Sequence, residues 1–409
     1  MKARLPFVFI IITMMLNSIG IGLILPVMPD LITDLTGGSI SSAALWGGIL
    51  ATTYAVMQFF TGPTLGNLSD RFGRRPILLI SLIAMGLDYI LLSLAGTIWW
   101  LFAGRVIAGV AGATFSTASA YIADISTPEK RAANFGLIGA AFGIGFIIGP
   151  AIGGFLGEIG PRVPFMTAAV VALANATLGY FILPETLVQS KRRAFDWTRA
   201  NPLGALLSIR KIPHLASLVT VFLVFTISHQ VYPSVWSYYT IERFDFSPKM
   251  IGASLGTFGF FIAVVQGGMI RVIIPKLGEM RTAMWGMGLN FFVFLLVAFL
   301  GEVWMLFALM PLMALGAVAG PALQGIMSKW VDDDAQGELQ GIFASVTGIA
   351  LILSPITMTS IFKYFTSSDA PYYLPGAPFV ASSLLEISAM VMLFVIAKRI
   401  WGNAAVPAE

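Results

Sequence analysis

The sequence predicts an all-α polytopic membrane protein, and three observations support this fold class. Of the 409 residues, 57% are hydrophobic and only 11% are charged, whereas soluble domains carry roughly 25% charged residues. The mean hydropathy is +0.87. The apolar runs are long enough to cross a bilayer as helices, which takes about 20 residues each. A chain with so few charged residues cannot cover the surface of a water-soluble domain.

The apolar runs predict twelve spanning helices. The first follows Lys2 and Arg4 and is longer than the apolar region of a secretory signal, which is roughly 7–15 residues, so we expect it to remain uncleaved. The predicted helices lie near residues 6–28, 44–65, 76–95, 98–121, 134–156, 163–184, 213–239, 248–273, 281–301, 303–328, 339–363 and 378–398.

The basic residues predict the orientation of the chain, because Lys and Arg are enriched in cytoplasmic loops. With Lys2 and Arg4 in the cytoplasm, most of the 24 Lys and Arg residues fall on that same side. The sequence therefore predicts a multi-pass protein of an inner or plasma membrane with both termini in the cytoplasm.

The chain also contains an internal repeat. Residues 135–150 and 340–355 align at an offset of 205 residues, with glycine, isoleucine and proline at matching positions. We therefore expect a six-helix bundle over 1–184, a basic cytoplasmic linker over 185–212 and a second bundle over 213–409. Duplication of this kind is typical of transporters, whose substrate site lies near the bilayer midplane at the interface of the repeats.

The composition excludes several kinds of chemistry. The chain has no Cys and therefore neither disulfide bonds nor thiol chemistry. It has two His and no Cys-X-X-Cys or His-Glu-X-X-His pattern, so we expect no metal site. With no nucleophile–base arrangement, we expect neither an enzyme nor a cofactor. The net charge of +4 follows from the cytoplasmic loops and does not indicate nucleic-acid binding.

Three motifs carry a resemblance to a known family. Residues 66–76, between the second and third predicted helices, have the sequence GNLSDRFGRRP. The fourth helix contains RVIAGVAGA from Arg105, and the fifth contains GFIIGPAIGG over 145–154. Together these motifs resemble the major facilitator superfamily, and the third is typical of its drug/proton antiporters. The resemblance implies two six-helix bundles, alternating access and coupling to the proton gradient without a cofactor.

Within that superfamily the chain is similar to the bacterial tetracycline efflux proteins. The resemblance spans nearly the whole chain and includes residues 19–29, 86–89, 104–105 and 321–325. Those proteins carry acids in helices 1 and 9 and a histidine in helix 8. The corresponding residues here are Asn17, Asn290 and Ile262, whereas the helix 3 acid is retained as Asp88 and a glutamine as Gln266.

Asp88 is the expected proton-binding residue and Arg105 its partner. Ionisable groups at membrane depth cost roughly 2.5–3.5 kcal/mol and are candidates for function. At about 1.5 Å per residue, Asp88 and Asn17 lie roughly 17–18 Å from the cytoplasmic side and Arg105 about 20 Å. The alternative is structural, with a static Asp88–Arg105 pair or hydrogen bonds that hold the helices together.

Polar and aromatic residues are the expected substrate contacts, because a drug pocket is mostly apolar and needs few polar groups. His229, Tyr232 and Trp236 are spaced to share one helical face. The alternatives are an aromatic belt at the outer interface and, for the polar residues, hydrogen bonds between helices. The expected set comprises Asn17, Gln58, His229, Tyr232, Trp236, Gln266, Asn290 and Gln324.

The loop 66–76 and the fifth helix are the expected gating elements. We expect Asp70 to face the positive end of the eleventh helix, and Arg71 or Arg74 to pair with Asp124. Gly149 and Pro150 permit close packing and a bend. The alternative for the loop is that its positive charge only sets the topology.

Two further acids have no assigned role. Glu386, in the last helix, is either an interior hydrogen-bonding group or an alternative proton site. Asp30, at the outer end of the first helix, is either a gate or a solvated helix end.

These features predict proton-coupled export of a small amphipathic compound, such as a tetracycline, by alternating access. One alternative is a symporter or uniporter that imports a metabolite. Another is a receptor or scaffold, which predicts soluble segments longer than the linker 185–212. The expected partners are the substrate, protons and the lipid bilayer, and we expect a monomer.

Overall fold

The computed structural model describes residues 4–112, 114–196, 204, 215–332 and 335–401. Over these residues the chain is helical and contains no strand. Twelve helices are long and apolar enough to cross a membrane. The predicted fold class and the predicted number of spans are therefore confirmed.

The first six spanning helices lie between Arg4 and Ile182, and three of them, α2, α4 and α5, are longer or more broken than the apolar pattern indicates. They are α1 (Arg4–Ile24), α2 (Ile40–Phe72), α3 (Arg74–Ser93), α4 (Ile98–Ala111 and Thr114–Ile125), α5 (Pro128–Gly157) and α6 (Val163–Ile182). A short helix, Met28–Thr36, lies between α1 and α2, and a 3₁₀ turn, Gln189–Lys191, follows α6.

The remaining six spanning helices follow from Leu215. They are α7 (Leu215–His229 and Val231–Phe244), α8 (Pro248–Val264, the π-helical turn Val265–Met269 and Ile270–Leu277), α9 (Glu279–Ala298), α10 (Val303–Gly316 and Ala319–Ser328), α11 (Gln336–Thr366) and α12 (Ala377–Trp401). The π-helical turn contains Gln266-Gly267-Gly268, where two glycines lower the local preference for a regular α-helix.

The repeat extends beyond the segments that reveal it in the sequence. Gly73 (φ 108°) and Gly278 (φ 73°) both have backbone angles that favour glycine and both immediately precede a helix. They lie 205 residues apart, and α3 and α9 also begin and end at this offset. The same tight glycine turn therefore joins the second helix to the third in each repeat.

The chain forms two compact units. Unit 1 comprises Met1–Ser39, Thr53–Pro202 and Phe246–Gly256, and unit 2 comprises Ile40–Thr52, Leu203–Asp245 and Thr257–Glu409. The predicted division into 1–184, 185–212 and 213–409 stays a prediction. Much of that linker, at 197–203 and 205–212, lies outside the described residues.

Each unit has its own apolar core. In unit 1, α1, α3 and α4 bury Ile10, Met14, Leu78 and Tyr121, all at 0% exposure. In unit 2, residues of α7, α9, α10, α11 and α12 form a larger core around Phe222, which is 4% exposed. The interior of each unit is therefore mostly apolar, and the buried polar residues described below are exceptions to this pattern.

Candidate functional site

A buried ion pair joins α3 to α4 in unit 1. Arg105 Nη2 lies 2.5 Å from Asp88 Oδ2, and the Asp88 side chain is 1% exposed whereas that of Arg105 is 12% exposed. Asp88 Oδ1 and Arg105 Nε are buried and have no hydrogen-bond partner among the described residues. One carboxylate oxygen is therefore free to take a proton without first losing a hydrogen bond.

Small and aromatic residues surround this pair. A Cβ atom on Gly104 would lie 2.5 Å from Asp88 Oδ1, so glycine leaves the space that the carboxylate occupies. The Tyr54 ring centroid lies 5.8 Å from Arg105 Cζ, a cation–π distance. Gln58 donates to Tyr54 Oη at 3.1 Å and to the carbonyl of Gly112 at 3.3 Å. The predicted residue Gln58 thus belongs to the surroundings of Arg105.

Asn17 lies in a cleft of unit 1 between α1, α3 and α6. The cleft is lined in part by Gly20, Tyr89 and Asn175. A Cβ on Gly20 would lie 2.7 Å from Tyr89 Oη, so the absence of a side chain there lets Tyr89, the neighbour of Asp88, pack against α1. Asn17 therefore lies in the same cleft as Tyr89, the residue that follows Asp88 in α3.

Two predicted substrate residues meet in unit 2. Asn290 Nδ2 lies 3.2 Å from His229 Nε2 and also donates to the carbonyl of Gly316 at 3.1 Å. The other ring nitrogen, His229 Nδ1, lies 3.0 Å from Glu386 Oε1. Ser228 Oγ donates to the same carboxylate oxygen at 3.0 Å. Three helices, α7, α9 and α12, thus supply one polar cluster.

Two other predicted residues, Tyr232 and Trp236, belong to an aromatic group beside that cluster. Tyr232 lies 5.3 Å from Phe294 and 5.1 Å from Phe258 between ring centroids. Trp236 lies 6.4 Å from Phe379. Tyr232 is 8% exposed and Trp236 is 3% exposed. In unit 2 these rings are core residues as well as candidate substrate contacts.

Gln266 and Gln324 have different surroundings from the other predicted substrate residues. Both are exposed, and Gln266 lies in the π-helical turn of α8. Turns of this type occur frequently at functional sites. Gln266 was predicted from the resemblance to the efflux proteins, whereas the irregular helix that carries it was not predicted.

An ion-pair network connects the predicted gating residues of unit 1. Arg74 Nη1 lies 2.5 Å from Asp70 Oδ1, and Arg74 Nε lies 3.2 Å from Asp124 Oδ2. Of the two arginines considered for Asp124, the structure places Arg74 there, while the Arg71 guanidinium lies 5.2 Å from the ring centroid of Phe72. Arg74 therefore links the loop to the end of α4.

Glu185, which was not among the predicted site residues, completes this network. Its carboxylate accepts hydrogen bonds from the backbone N–H groups of Arg74 at 3.0 Å and Arg75 at 3.2 Å. These groups form the first turn of α3, whose N–H groups have no partner within the helix and whose dipole favours an anion. The sequence feature that could have indicated this role is an acidic residue shortly after the end of α6.

The glycines of α5 pack against the backbone of α1. Cβ atoms on Gly145, Gly149 and Gly153 would meet the carbonyl oxygens of Met15, Ile19 and Leu23 respectively. Both sets repeat every four residues and thus form one stripe along each helix. Small residues at this spacing allow two membrane helices to approach closely.

Asp30 lies outside the spanning helices, on the short helix Met28–Thr36. Burial, and then the nearby charges of Asp34 and Glu158, raise the pKa of Asp30 above its ordinary value. Glu158 is itself exposed and accepts a hydrogen bond from the backbone N–H of Lys249 at 3.1 Å. Hydrogen bonds from Ser247 and Lys249 lower the pKa of Glu158. Asp30 is therefore part of an acidic group, and its role stays open.

Comparison with known proteins identifies the family. The sequence profile of the Major Facilitator Superfamily matches residues 10–301. The chain is 40% identical to the class C tetracycline resistance protein of Escherichia coli over 368 residues, covering 90% of this chain and 92% of that one. It is 36% identical to the class H protein of Pasteurella multocida over 387 residues, covering 92% and 94%.

Solved structures agree with this assignment at the level of the fold. The crystal structure of the human organic anion transporter MFSD10 matches with a TM-score of 0.69 and 22% identity, over 96% of this chain and 99% of that one. Members of this superfamily are membrane transporters and not enzymes, and a multi-pass protein of the inner membrane is consistent with the twelve apolar helices. The chain belongs to the Major Facilitator Superfamily and, within it, to the group that includes the bacterial tetracycline resistance proteins.

Proposed function

We propose that this chain is a proton-coupled antiporter that exports small amphipathic compounds, with tetracyclines as the first candidates. The observation that carries the proposal is the buried Asp88–Arg105 pair, in which Asp88 Oδ1 has no hydrogen-bond partner among the residues that the structure describes and can accept a proton. The names of the relatives support a tetracycline. Asn17, Asn290 and Ile262, which replace ionisable residues of that family, favour a substrate range that differs from theirs.

In this proposal the transporter works with both termini in the cytoplasm, as a monomer and without a cofactor. Asp88 binds a proton from the outer side and releases it to the cytoplasm, and Arg105 becomes available for other contacts while Asp88 is neutral. The substrate binds among Asn17, Gln58, His229, Tyr232, Trp236, Gln266, Asn290 and Gln324. Proton binding and substrate binding alternate, so that inward proton flow drives outward transport.

Two measurements test this function. Expression in an efflux-deficient bacterial host is expected to raise the inhibitory concentration of tetracycline or of another drug in a susceptibility panel. In everted membrane vesicles, the same drug is expected to accumulate when the interior is made acidic, and an uncoupler should abolish the accumulation. Uptake of a metabolite into right-side-out vesicles under an inward proton gradient, without any drug export, would contradict the proposal and favour a symporter.

The loop 66–76 is proposed to gate the cytoplasmic side, and Asp70→Asn tests this role. We expect the turnover rate to fall at least tenfold, because Arg74 loses one of its two carboxylate partners and the loop loses its fixed geometry. The pair is half-buried, but Arg74 keeps Asp124 and the Ser69 hydroxyl as partners in the variant, so no buried charge is left unpaired. Membrane insertion and substrate affinity should therefore remain close to wild type.

The control for Asp70→Asn is Asp369→Asn, which removes one exposed acid from unit 2 and is expected to leave turnover unchanged. The readouts are the initial rate of drug transport in vesicles, the binding affinity of the purified protein and the amount of protein in the membrane. Wild-type turnover in Asp70→Asn would show that the loop sets topology only.

A further inference from the structure

Glu386 is a buried acid in unit 2 that the Asp88–Arg105 mechanism does not use. Its side chain is 0% exposed. Oε1 accepts a hydrogen bond from Ser228 and lies 3.0 Å from His229 Nδ1, whereas Oε2 has no partner among the described residues. An ionised carboxylate in such a place is costly unless it is paired or takes up a proton.

The helices around Glu386 offer one ionisable partner. Of the groups on α7, α9, α11 and α12 for which the structure gives a contact or charge interaction with Glu386, only His229 and Tyr232 are titratable. The Tyr232 hydroxyl is buried and has no hydrogen-bond partner among the described residues. No Lys or Arg pairs with Glu386 in the described part of the chain. The charge of Glu386 is therefore compensated only when His229 carries a second proton.

His229 connects this buried acid to a more accessible region, because its side chain is 22% exposed. Nδ1 faces Glu386, and Nε2 faces the amide of Asn290. When Asn290 Nδ2 donates to Nε2, the imidazole is neutral and its Nδ1–H donates to Glu386. Asn290 Oδ1 has no hydrogen-bond partner in the described part of the chain, so rotation of this amide would present an acceptor to a protonated Nε2. The Asn290 amide can therefore form a hydrogen bond with His229 Nε2 in either protonation state of the imidazole.

We propose that His229 and Glu386 form a second proton-carrying site, so that the transporter carries protons in both of its units. The proton adds at Nε2 of neutral His229, and the pair becomes an imidazolium beside a carboxylate with no net charge. Loss of the same proton from Nε2 returns the neutral imidazole and leaves one negative charge. This inference extends the proposed antiport, but the protonation of the pair is testable without any substrate.

The test follows the imidazole of His229 directly. The full-length protein in nanodiscs, with ¹⁵N-labelled histidine rings, is titrated without substrate, and the nitrogen chemical shifts distinguish the neutral ring from the imidazolium. We expect a titrating ring signal that is lost in His229→Asn and retained in His214→Asn, which changes the other histidine of the sequence. In Glu386→Gln the midpoint should move to lower pH, since the carboxylate no longer stabilises the imidazolium. Glu302→Gln, which changes an exposed acid of unit 2, should leave the midpoint unchanged.

Ser228→Ala separates this role from a structural one. It removes a hydrogen bond to Glu386 but no titratable group, so we expect a lower melting temperature and a ring signal that still titrates. If Glu386→Gln does not fold, Glu386→Asp decides the question, because the shorter acid withdraws the carboxylate from His229 Nδ1 and should also lower the midpoint. An identical midpoint in wild type and the Glu386 variant, or a His229 ring that does not titrate, would overturn the proposal and make the cluster a static link between helices.

The number of protons exchanged per transported drug molecule provides a second test. With tetracycline as the probe in proteoliposomes, Glu386→Gln is expected to lower the number of protons exchanged per drug molecule. An unchanged number would contradict the proposal. If wild type does not transport tetracycline, the choice of substrate in the proposed function fails, whereas the titration of the His229 ring still decides whether His229 and Glu386 carry a proton.

Discussion

Replacement of Asp88 by Asn is expected to reduce proton-driven transport about 100-fold or more. The amide cannot release a proton in the physiological range, and it leaves the Arg105 guanidinium buried without its counter-ion. Removal of one partner from a buried ion pair typically costs about 3–5 kcal/mol. The measurement is the initial rate of drug transport in proteoliposomes under an imposed proton gradient, with the melting temperature of the purified protein as the second readout.

A double variant separates the loss of a proton site from the loss of folding. Asp88→Asn combined with Arg105→Gln removes both charges, so the unpaired cation is gone and the melting temperature should recover in part. Proton-driven transport should remain absent in the double variant, because no titratable group remains at this position. Wild-type rates in Asp88→Asn would show that the pair is structural and would remove Asp88 from the proposed mechanism.

The fold was predictable because each spanning helix is encoded locally. Twelve apolar runs were enough to predict twelve helices, and the glycine and proline matches were enough to reveal the repeat. The breaks inside α4, α7 and α10 were not predicted, although local signals mark them: Gly112 ends the first part of α4, and Pro233 and Pro321 lie in the first turn after the other two breaks. These signals were not used, because proline and glycine are tolerated within membrane helices and do not by themselves predict a break. The π-helical turn at Gln266 was missed for a similar reason, since two glycines do not specify an extra residue in a helical turn.

The candidate site was predictable only in part, because the sequence gives the depth of a residue but not its neighbours. Depth arithmetic placed Asp88 and Arg105 at similar levels, and both lie on consecutive helices, which limits the possible partners. Glu386 and His229 come from helices far apart in the sequence, and His229 was interpreted as a substrate contact without reference to Glu386. Glu185 was missed because its role depends on the exact position at which α3 begins.

Replacement of Gly149 by Val is expected to abolish transport and to lower the amount of folded protein severalfold. A Cβ at this position would lie 2.7 Å from the carbonyl oxygen of Ile19 and 3.0 Å from Cα of Gly22. Both are backbone atoms, so α1 itself would have to move to make room. Overpacking typically costs about 1–3 kcal/mol where side chains can adjust, and more is expected where only a helix backbone can. Pro150, whose ring faces Gly22, would be displaced together with Gly149.

Gly143→Ala is the matched control for Gly149→Val on the same helix. Apart from the neighbouring backbone of α5 itself, no heavy atom of the described residues lies within 4 Å of a Cβ built on Gly143, and alanine is favoured over glycine in a helix by about 1 kcal/mol. We therefore expect normal or increased melting temperature and normal transport. Size-exclusion profiles, melting temperatures and vesicle transport rates of the two variants make the comparison. A Gly149→Val protein that folds and transports normally would show that the close approach of α1 and α5 is not required, and Gly149 and Pro150 would then lose their proposed gating role.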